Sequence, residues 1–393
     1  MGERPRLSSV VCTLVCSRAV GYTLGMSRTY RVGVMGRTGR GDYGHGLDVV
    51  WREVPRTTIV AVADDDKMGL AAKARELGVD RAYTDYRQML DEAKPDVVSI
   101  CQRWIDRHAE MVVAAAERGI HVYMEKPMCR TLAEADAMVT ACESSHVKLA
   151  MATQTRYSPK LPVVKQLVDG GKIGRVLEYR GRGKEDRRGG GEDLWVLGTH
   201  IMDLVRYFGG APEWCMASVT VDGRPIARAD VAEGAEGIGL LAGDIVNAMY
   251  GMPDGASAYF GSRRNAMGPV SRFGLKILGT GGIIEIQTGH LPSVKYLDDP
   301  SWSPGRSGAA WQDVSSAGIG LPEPLSDGGL HAGNVAAVKD LLAAIEEDRQ
   351  PIANVYHARA ATEMIVAVFE SQRTGGRVSF PLAERENPLA RLS

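Results

Sequence analysis

Apolar and polar positions change their period part-way along this chain. Between 30 and 153, short apolar runs recur at Tyr30–Met35 (YRVGVM), Thr58–Ala63 (TIVAVA), Asp96–Cys101 (DVVSIC), Ile120–Met124 (IHVYM) and Lys148–Thr153. Runs of this length without alternation read as strands buried on both faces. Helical spacing fills the gaps at Asp42–Val54, Gly69–Leu77, Tyr86–Glu92, His108–Arg118 and Thr131–Ser144. Gly78 fits a C-cap, and Thr131 with Glu134 forms a capping box. Strand and helix in alternation predict an α/β fold with a doubly wound parallel sheet.

The period changes after 153. Val176–Arg182 alternates like a half-buried strand, and Ile201–Phe208 reads as a helix. Strand-like runs follow at Trp214–Val221, Asp244–Tyr250, Ala256–Gly261, Phe273–Leu278 and Gly282–Gln287, mostly punctuated by glycine. They predict an open, mainly antiparallel sheet. Residues 290–328 are rich in Pro, Gly and Ser and read as a long loop. His331–Glu347 and Val355–Thr374 are amphipathic helices, and the tail after 380 reads as an extended cover.

Residues 1–28 stand apart. Arg4 and Arg6 precede a weakly apolar stretch, Leu7–Cys16. It reads either as a targeting segment or as an upstream start, with Met26 the natural one. Both readings leave it outside the fold.

Composition narrows the function. Lys+Arg is 47 and Asp+Glu 48, a net charge of −1, so no strong field draws the chain to nucleic acid or an anionic membrane. No apolar run reaches the ~18–20 residues of a membrane span. The six cysteines include no CxxC pair, which argues against a disulfide scaffold or structural zinc and for a reducing, cytoplasmic setting. Glycine is abundant at 46 residues, which implies tight turns or close backbone approach to a ligand.

The first chemical signal is a glycine-rich loop between the first strand and the first helix. Gly36, Arg37, Thr38, Gly39 and Gly41 align with G-x-G-x-x-G, with Thr38 at the middle glycine. Such a loop lets pyrophosphate approach the backbone. Asp64 ends the second strand, where a carboxylate holds the ribose hydroxyls of NAD and repels the extra phosphate of NADP. Arg37 and Arg40 argue the other way, so NADP stays open beside the favoured NAD. The second signal is Glu125-Lys126-Pro127 at the C-terminal end of the fourth strand, the end at which open α/β sheets bind ligands. A lysine there can polarise or deprotonate a carbinol oxygen, with Glu125 setting its position and charge.

These residues, with Gly198-x-His200-x-x-Asp203, resemble the glucose–fructose oxidoreductase / inositol dehydrogenase / MocA (Gfo/Idh/MocA) family over about 29–385. The resemblance implies a Rossmann domain over 29–153 and a C-terminal α/β domain over 154–393. The latter would bind substrate and build a homodimer or homotetramer through its sheet. It implies hydride transfer between NAD(P) and a sugar, polyol or sugar derivative, with Lys126 and His200 catalytic. Asp203, counted with the residues on the substrate side, would orient His200 or serve structurally. Trp104, His108, Glu125 and Gln154 would lie near the cofactor. Arg156, Tyr157, Lys184, Asp193 and Trp195 would face substrate, with core packing the alternative for Trp195.

One departure matters. Many members carry an aspartate four residues before this histidine, and here that residue is Val196. Glu192, Asp193, Glu185 or Asp186 could substitute for it. The gap keeps a second reading in play: redox-neutral glycoside cleavage or elimination through a transient keto sugar. A third reading is a non-catalytic cofactor-binding regulator, against which Lys126 and His200 argue.

Overall fold

The computed structural model describes residues 28–392. The segment 1–27, most of the expected leader, lies outside them. Six parallel strands form the first sheet: β1 (Tyr30–Met35), β2 (Thr57–Ala63), β3 (Ala82–Tyr83), β4 (Val97–Ile100), β5 (His121–Met124) and β6 (Leu149–Met151). Their order is β3-β2-β1-β4-β5-β6, so the winding reverses between β1 and β4, the place where such sheets bind ligands. The strands are buried on both faces, with Val32, Val34, Val62, Val98 and Ile100 fully covered. Four helices cover them: α1 (Lys67–Leu77), α2 (Tyr86–Ala93), α3 (His108–Ala116) and α4 (Leu132–Ser144).

Local sequence sets the helix ends. The Asp66 carboxylate caps α1 by accepting from the Gly69 N–H, and Gly78 ends that helix at φ 66°. Thr131 caps α4 by accepting from the Glu134 N–H. The helix expected over Asp42–Val54 does not form. The chain makes two single 3₁₀ turns there, Gly44–Gly46 and Val50–Arg52. His45 (φ 51°) and Gly46 (φ 80°) are left-handed, and the Gly44 N–H is drawn to the Cys101 carbonyl at 2.7 Å instead of into a helix.

After β6 the chain enters the second layer. An unread helix, α5 (Lys160–Asp169), buries Leu161 and Val164. Then come β7 (Val176–Arg182), α6 (Gly191–Val196), α7 (Gly198–Gly209), β8 (Trp214–Val221), β9 (Arg224–Pro225), β10 (Ala232–Glu233), β11 (Leu240–Leu241), β12 (Ile245–Gly251), β13 (Ser257–Arg263), β14 (Gly274–Gly279) and β15 (Gly282–Gln287). The segment 290–328 is not a bare loop. It holds β16 (Val294–Leu297), the short α8 (Pro304–Ser307), β17 (Gln312–Ser315) and β18 (Gly318–Ile319). Buried Val294, Tyr296, Leu297 and Val314 pin these strands, and the Asp299 carboxylate accepts from Ser301, Ser303 and Ser307 to fold the turn between them. The long helices α9 (Leu330–Glu346) and α10 (Val355–Thr374) and the edge strand β19 (Val378–Ser379) complete the chain.

The second sheet has eleven strands, in the order β18-β17-β16-β15-β14-β7-β13-β12-β8-β19 with β9 on β8. Only β7 and β13 pair parallel. Helices α7 and α10 cover one face. Helix α9 returns to the first domain, where Ala337, Val338, Leu341 and Leu342 join its core. The two large apolar cores are joined by α10, which packs on α4 and β6 of the first domain and on α7 and β8 of the second.

Candidate active site

The loop after β1 is a closed turn. The Gly39 N–H donates to the Asp42 carboxylate at 2.8 Å, and Arg37 and Asp42 exchange backbone hydrogen bonds. Gly41 has φ 92°, and a Cβ there would fall 2.5 Å from the Trp104 nitrogen, so only glycine fits. At Gly36 the close approach is made by Tyr43, whose ring would lie 2.2 Å from an added Cβ.

Asp64 stands at the end of β2 as expected, but its oxygens are engaged. They accept from Thr38 N at 3.1 Å, Thr38 Oγ1 at 2.6 Å, the Tyr43 hydroxyl at 2.9 Å and Asp66 N at 3.0 Å. This carboxylate folds the phosphate loop, and its lone pairs are filled without a ribose. The same wall carries Asp65. A cavity of about 270 Å³ opens here among Gly36, Arg37, Asp65, Tyr86 and Arg107. Arg37 lies between Asp65 (3.0 Å) and Asp106 (2.9 Å). The cavity carries Asp64, Asp65 and Asp85 beside Arg37, Arg87 and Arg107, and Asp65 is the carboxylate placed to meet free ribose hydroxyls. The Arg40 guanidinium stacks over Trp104, 5.4 Å from its ring centroid.

His108 does not reach the cofactor cavity. It is fully buried, with Nδ1 3.0 Å from the Pro127 carbonyl and Nε2 2.9 Å from the Gln102 carbonyl. It ties the loop after β4 to the loop after β5.

Glu125 and Lys126 leave β5 at its C-terminal end, and the Lys126–Pro127 peptide is cis. The buried Glu125 carboxylate accepts from the Lys126 N–H at 2.8 Å and pairs with the His45 ring. Burial pushes the Glu125 carboxyl up, and His45 and Lys126 offset that, leaving it below its ordinary value. Lys126 donates from Nζ to the Val196 carbonyl at 3.4 Å. Burial lowers its pKa, with Glu125 and Glu236 opposing and Arg188 and Arg103 adding to the effect. The position of the absent aspartate therefore still touches the lysine, through backbone oxygen instead of carboxylate.

His200 sits on the first turn of α7. Burial, then the charges of Lys126 and His45, lower its pKa to about 3, and its Nδ1 is buried without a partner. The ring is neutral at pH 7. Its edge meets Phe273 at a centroid distance of 6.2 Å.

Other residues expected at substrate, and Gln154 expected at the cofactor, make contacts within the protein. Arg156 and Asp203 form a buried ion pair at 3.3 Å, and the Arg156 guanidinium stacks on Tyr207. The Tyr157 hydroxyl accepts from the Ala353 N–H at 3.2 Å. Trp195 is buried and stacks on Phe369, in the core. Asp193 accepts from the backbone of Lys184 and Glu185 and from Ser262 Oγ at 2.5 Å, which locks the 183–190 loop. Lys184 Nζ lies 3.7 Å from Asp186. Gln154 donates to Asn334 Oδ1 at 3.0 Å. Arg156, Tyr157, Asp193 and Gln154 thus make hydrogen bonds to neighbouring protein groups, although Arg156 Nε is buried without a partner.

The structure adds three residues the sequence reading passed over. His45 pairs with Glu125 across 80 positions of sequence. Tyr43 ties the loop to Asp64. Asn334 of α9 accepts from Tyr123 and Gln154 and donates to the His45 carbonyl at 2.8 Å. The GHG turn at Gly44–Gly46 was the available signal for His45, since a non-glycine residue between glycines in a phosphate loop is well placed to reach inward.

A Rossmann sheet whose cofactor cleft adjoins a Glu-Lys-Pro turn defines the class of nicotinamide-binding proteins. Comparison with known proteins agrees. The model of an oxidoreductase family with an NAD-binding Rossmann fold matches residues 30–153, and the GFO/IDH/MocA C-terminal domain matches 163–285. The chain belongs to the Gfo/Idh/MocA family, and its first domain is an NAD-binding Rossmann domain. Levoglucosan dehydrogenase of Pseudarthrobacter phenanthrenivorans is 28% identical over 260 residues, 59% of this chain and 65% of its own length. D-apiose dehydrogenase of Paraburkholderia graminis is 32% identical over 192 residues, 46% of this chain and 51% of its own. scyllo-Inositol 2-dehydrogenase (NAD(+)) of Bacillus subtilis is 29% identical over 206 residues, 51% and 58%. The chain therefore matches about half to two thirds of these relatives. Levoglucosan dehydrogenase in complex with NADH shares the fold, with a TM-score of 0.72 at 22% identity over 90% of this chain and 99% of that one. Among the described residues no helix is long and apolar enough to cross a membrane, and no acidic, His or Cys cluster suits a metal.

Proposed function

We propose that the protein oxidises a secondary hydroxyl of a sugar, polyol or sugar derivative with NAD. The observation that carries this reading is Lys126, buried at the C-terminal end of β5 with its Nζ against the turn that precedes His200. NAD, when bound, supplies the hydride acceptor. Gly36, Gly39 and Gly41 keep the phosphate loop tight, and Asp65 with Arg37 faces the ribose. Lys126 takes the proton of the carbinol hydroxyl as the C–H bond breaks and the carbonyl forms. Burial disfavours the ammonium form of this lysine, which eases the transfer. The neutral His200 holds the same oxygen by a hydrogen bond. His45 and Lys126 favour the charged form of Glu125, Asn334 holds the His45 backbone, and His108 holds the two loops together. A homodimer or homotetramer through the second sheet belongs to the same reading.

The test is to add a sugar and polyol panel with NAD and follow reduced nicotinamide. Accumulating NADH with at least one neutral polyol supports the reading. A second reading has its own observation. Burial, with Glu236 adding and Arg188, Arg187 and Arg264 opposing, raises the Glu192 pKa four residues before Val196, a direction that suits proton donation to a departing group. Redox-neutral cleavage of a glycoside through a transient keto sugar would then form product with no net NADH.

A further inference from the structure

The hairpin β10–β11 pairs with no other strand. Its base grips the site. The Gly191 N–H donates to the Gly243 carbonyl at 3.1 Å, and a Cβ on Gly191 would fall 2.3 Å from the Ala242 oxygen. Its side is held by Asn387, which donates to the Leu240 carbonyl at 2.9 Å. Its tip crosses to the first domain. A Cβ on Gly237 would lie 3.0 Å from Asp106 Cβ and 3.2 Å from the Asp106 nitrogen. Asp106 in turn holds Arg37 of the phosphate loop. Ile238, next to the tip, is buried. The hairpin thus spans the cleft from the α6 glycines to the cofactor loop.

Glu236 sits at this tip in the left-handed region, φ 56°. It is half-buried, while Ala232, Glu233 and Ala235 are exposed. A non-glycine residue held at positive φ needs the surrounding structure to fix it. Its charge acts on Lys126, Arg188 and Glu192, all at the cleft.

We propose that Glu236 is the specificity-determining carboxylate of this site: carried across the cleft on the hairpin, it faces Lys126 and accepts hydrogen bonds from hydroxyls of a neutral sugar or polyol, in place of the aspartate replaced by Val196. The inference rests on the sugar-oxidising reading above. An ionised carboxylate is an acceptor only and can take two hydroxyl donors at once. It repels a substrate carboxylate brought beside it, which disfavours a uronate against the matching neutral sugar.

The test compares the full-length protein with its Glu236→Gln and Glu236→Asp variants. With a neutral sugar and NAD, Glu236→Gln raises KM by roughly tenfold to a hundredfold with a smaller change in kcat, and it narrows discrimination against the uronate. Glu236→Asp recovers part of the loss. An independent readout is the titration of Lys126 after reductive methylation with isotope-labelled formaldehyde, followed by NMR and assigned by loss of the signal in Lys126→Arg. The groups acting on this amine are Glu125, Glu236, Arg188, Arg103 and the neutral His200. Removing the Glu236 charge lowers the Lys126 pKa. KM within twofold of wild type, or an unmoved titration, overturns the proposal. A wild type that oxidises no sugar sinks the functional reading instead, and the titration alone then decides whether Glu236 faces Lys126.

Discussion

Lys126 is held where burial disfavours its ammonium form. Burial strips its water, and Glu125 and Glu236 return only part of the stabilisation. Truncation to Lys126→Ala should lower kcat/KM by roughly 10²- to 10⁴-fold, with NAD affinity by fluorescence titration unchanged. The pH dependence follows from the two shifts. Lys126 must be the free amine to accept a proton, so kcat/KM rises with pH through a pKa below its ordinary value of 10.5. His200 titrates at about 3 and adds no limb near 6.5. A profile with its rise near 6.5 that vanishes in His200→Asn would return the proton transfer to the histidine. At this scale the sequence was legible where chemistry sits in a short motif. Lys126 and His200 could be named because their neighbours in the chain mark them. His45 could not, because its partner Glu125 is 80 residues away and its approach depends on a left-handed turn. Arg156 and Asp203 were drawn toward substrate by the same motif logic, and only three dimensions show that they pair with each other.

Among the elements, the charged stretch 183–190 is held as a loop by one residue of α6. Asp193 collects two backbone N–H groups and the Ser262 hydroxyl, and Gly183 lacks a Cβ because the Asp193 carboxylate would lie 2.0 Å from it. Asp193→Ala leaves those donors unpaired and should cost about 1–3 kcal/mol of stability, read as a lower urea midpoint at unchanged slope. The strands of the first domain were legible from their apolar runs, and β8, β15 and α10 end where the pattern placed them. Two segments were not. Helical spacing over Asp42–Val54 lost to a backbone bond from Gly44 to Cys101, a long-range contact that periodicity cannot register. The short strands between 290 and 328 were hidden because turn residues outnumber the few buried apolar ones.

The molecule as a whole joins its cofactor and substrate sides through side chains from distant parts of the chain. Helix α9 brings Asn334 back to His45 and Gln154, and the hairpin brings Gly237 to Asp106. The cofactor choice is set at this scale. Arg37 is shared between Asp65 and Asp106, so an added phosphate on the ribose meets a guanidinium already paired with two carboxylates. NAD should raise the melting temperature at concentrations where NADP does not. Asp65→Ser should narrow that gap by releasing Arg37. Equal shifts from both nucleotides in the wild type would contradict this account of the cavity.

The most direct test of the central claim uses a polyol deuterated at the reacting carbon, mixed with the protein and NAD. The account predicts that reduced nicotinamide accumulates, carries the deuterium and forms more slowly than with the unlabelled polyol, and that its rate of formation falls by roughly 10²- to 10⁴-fold in Lys126→Ala. Product formed without accumulated reduced nicotinamide, or a Lys126→Ala rate within about tenfold of wild type, would contradict it.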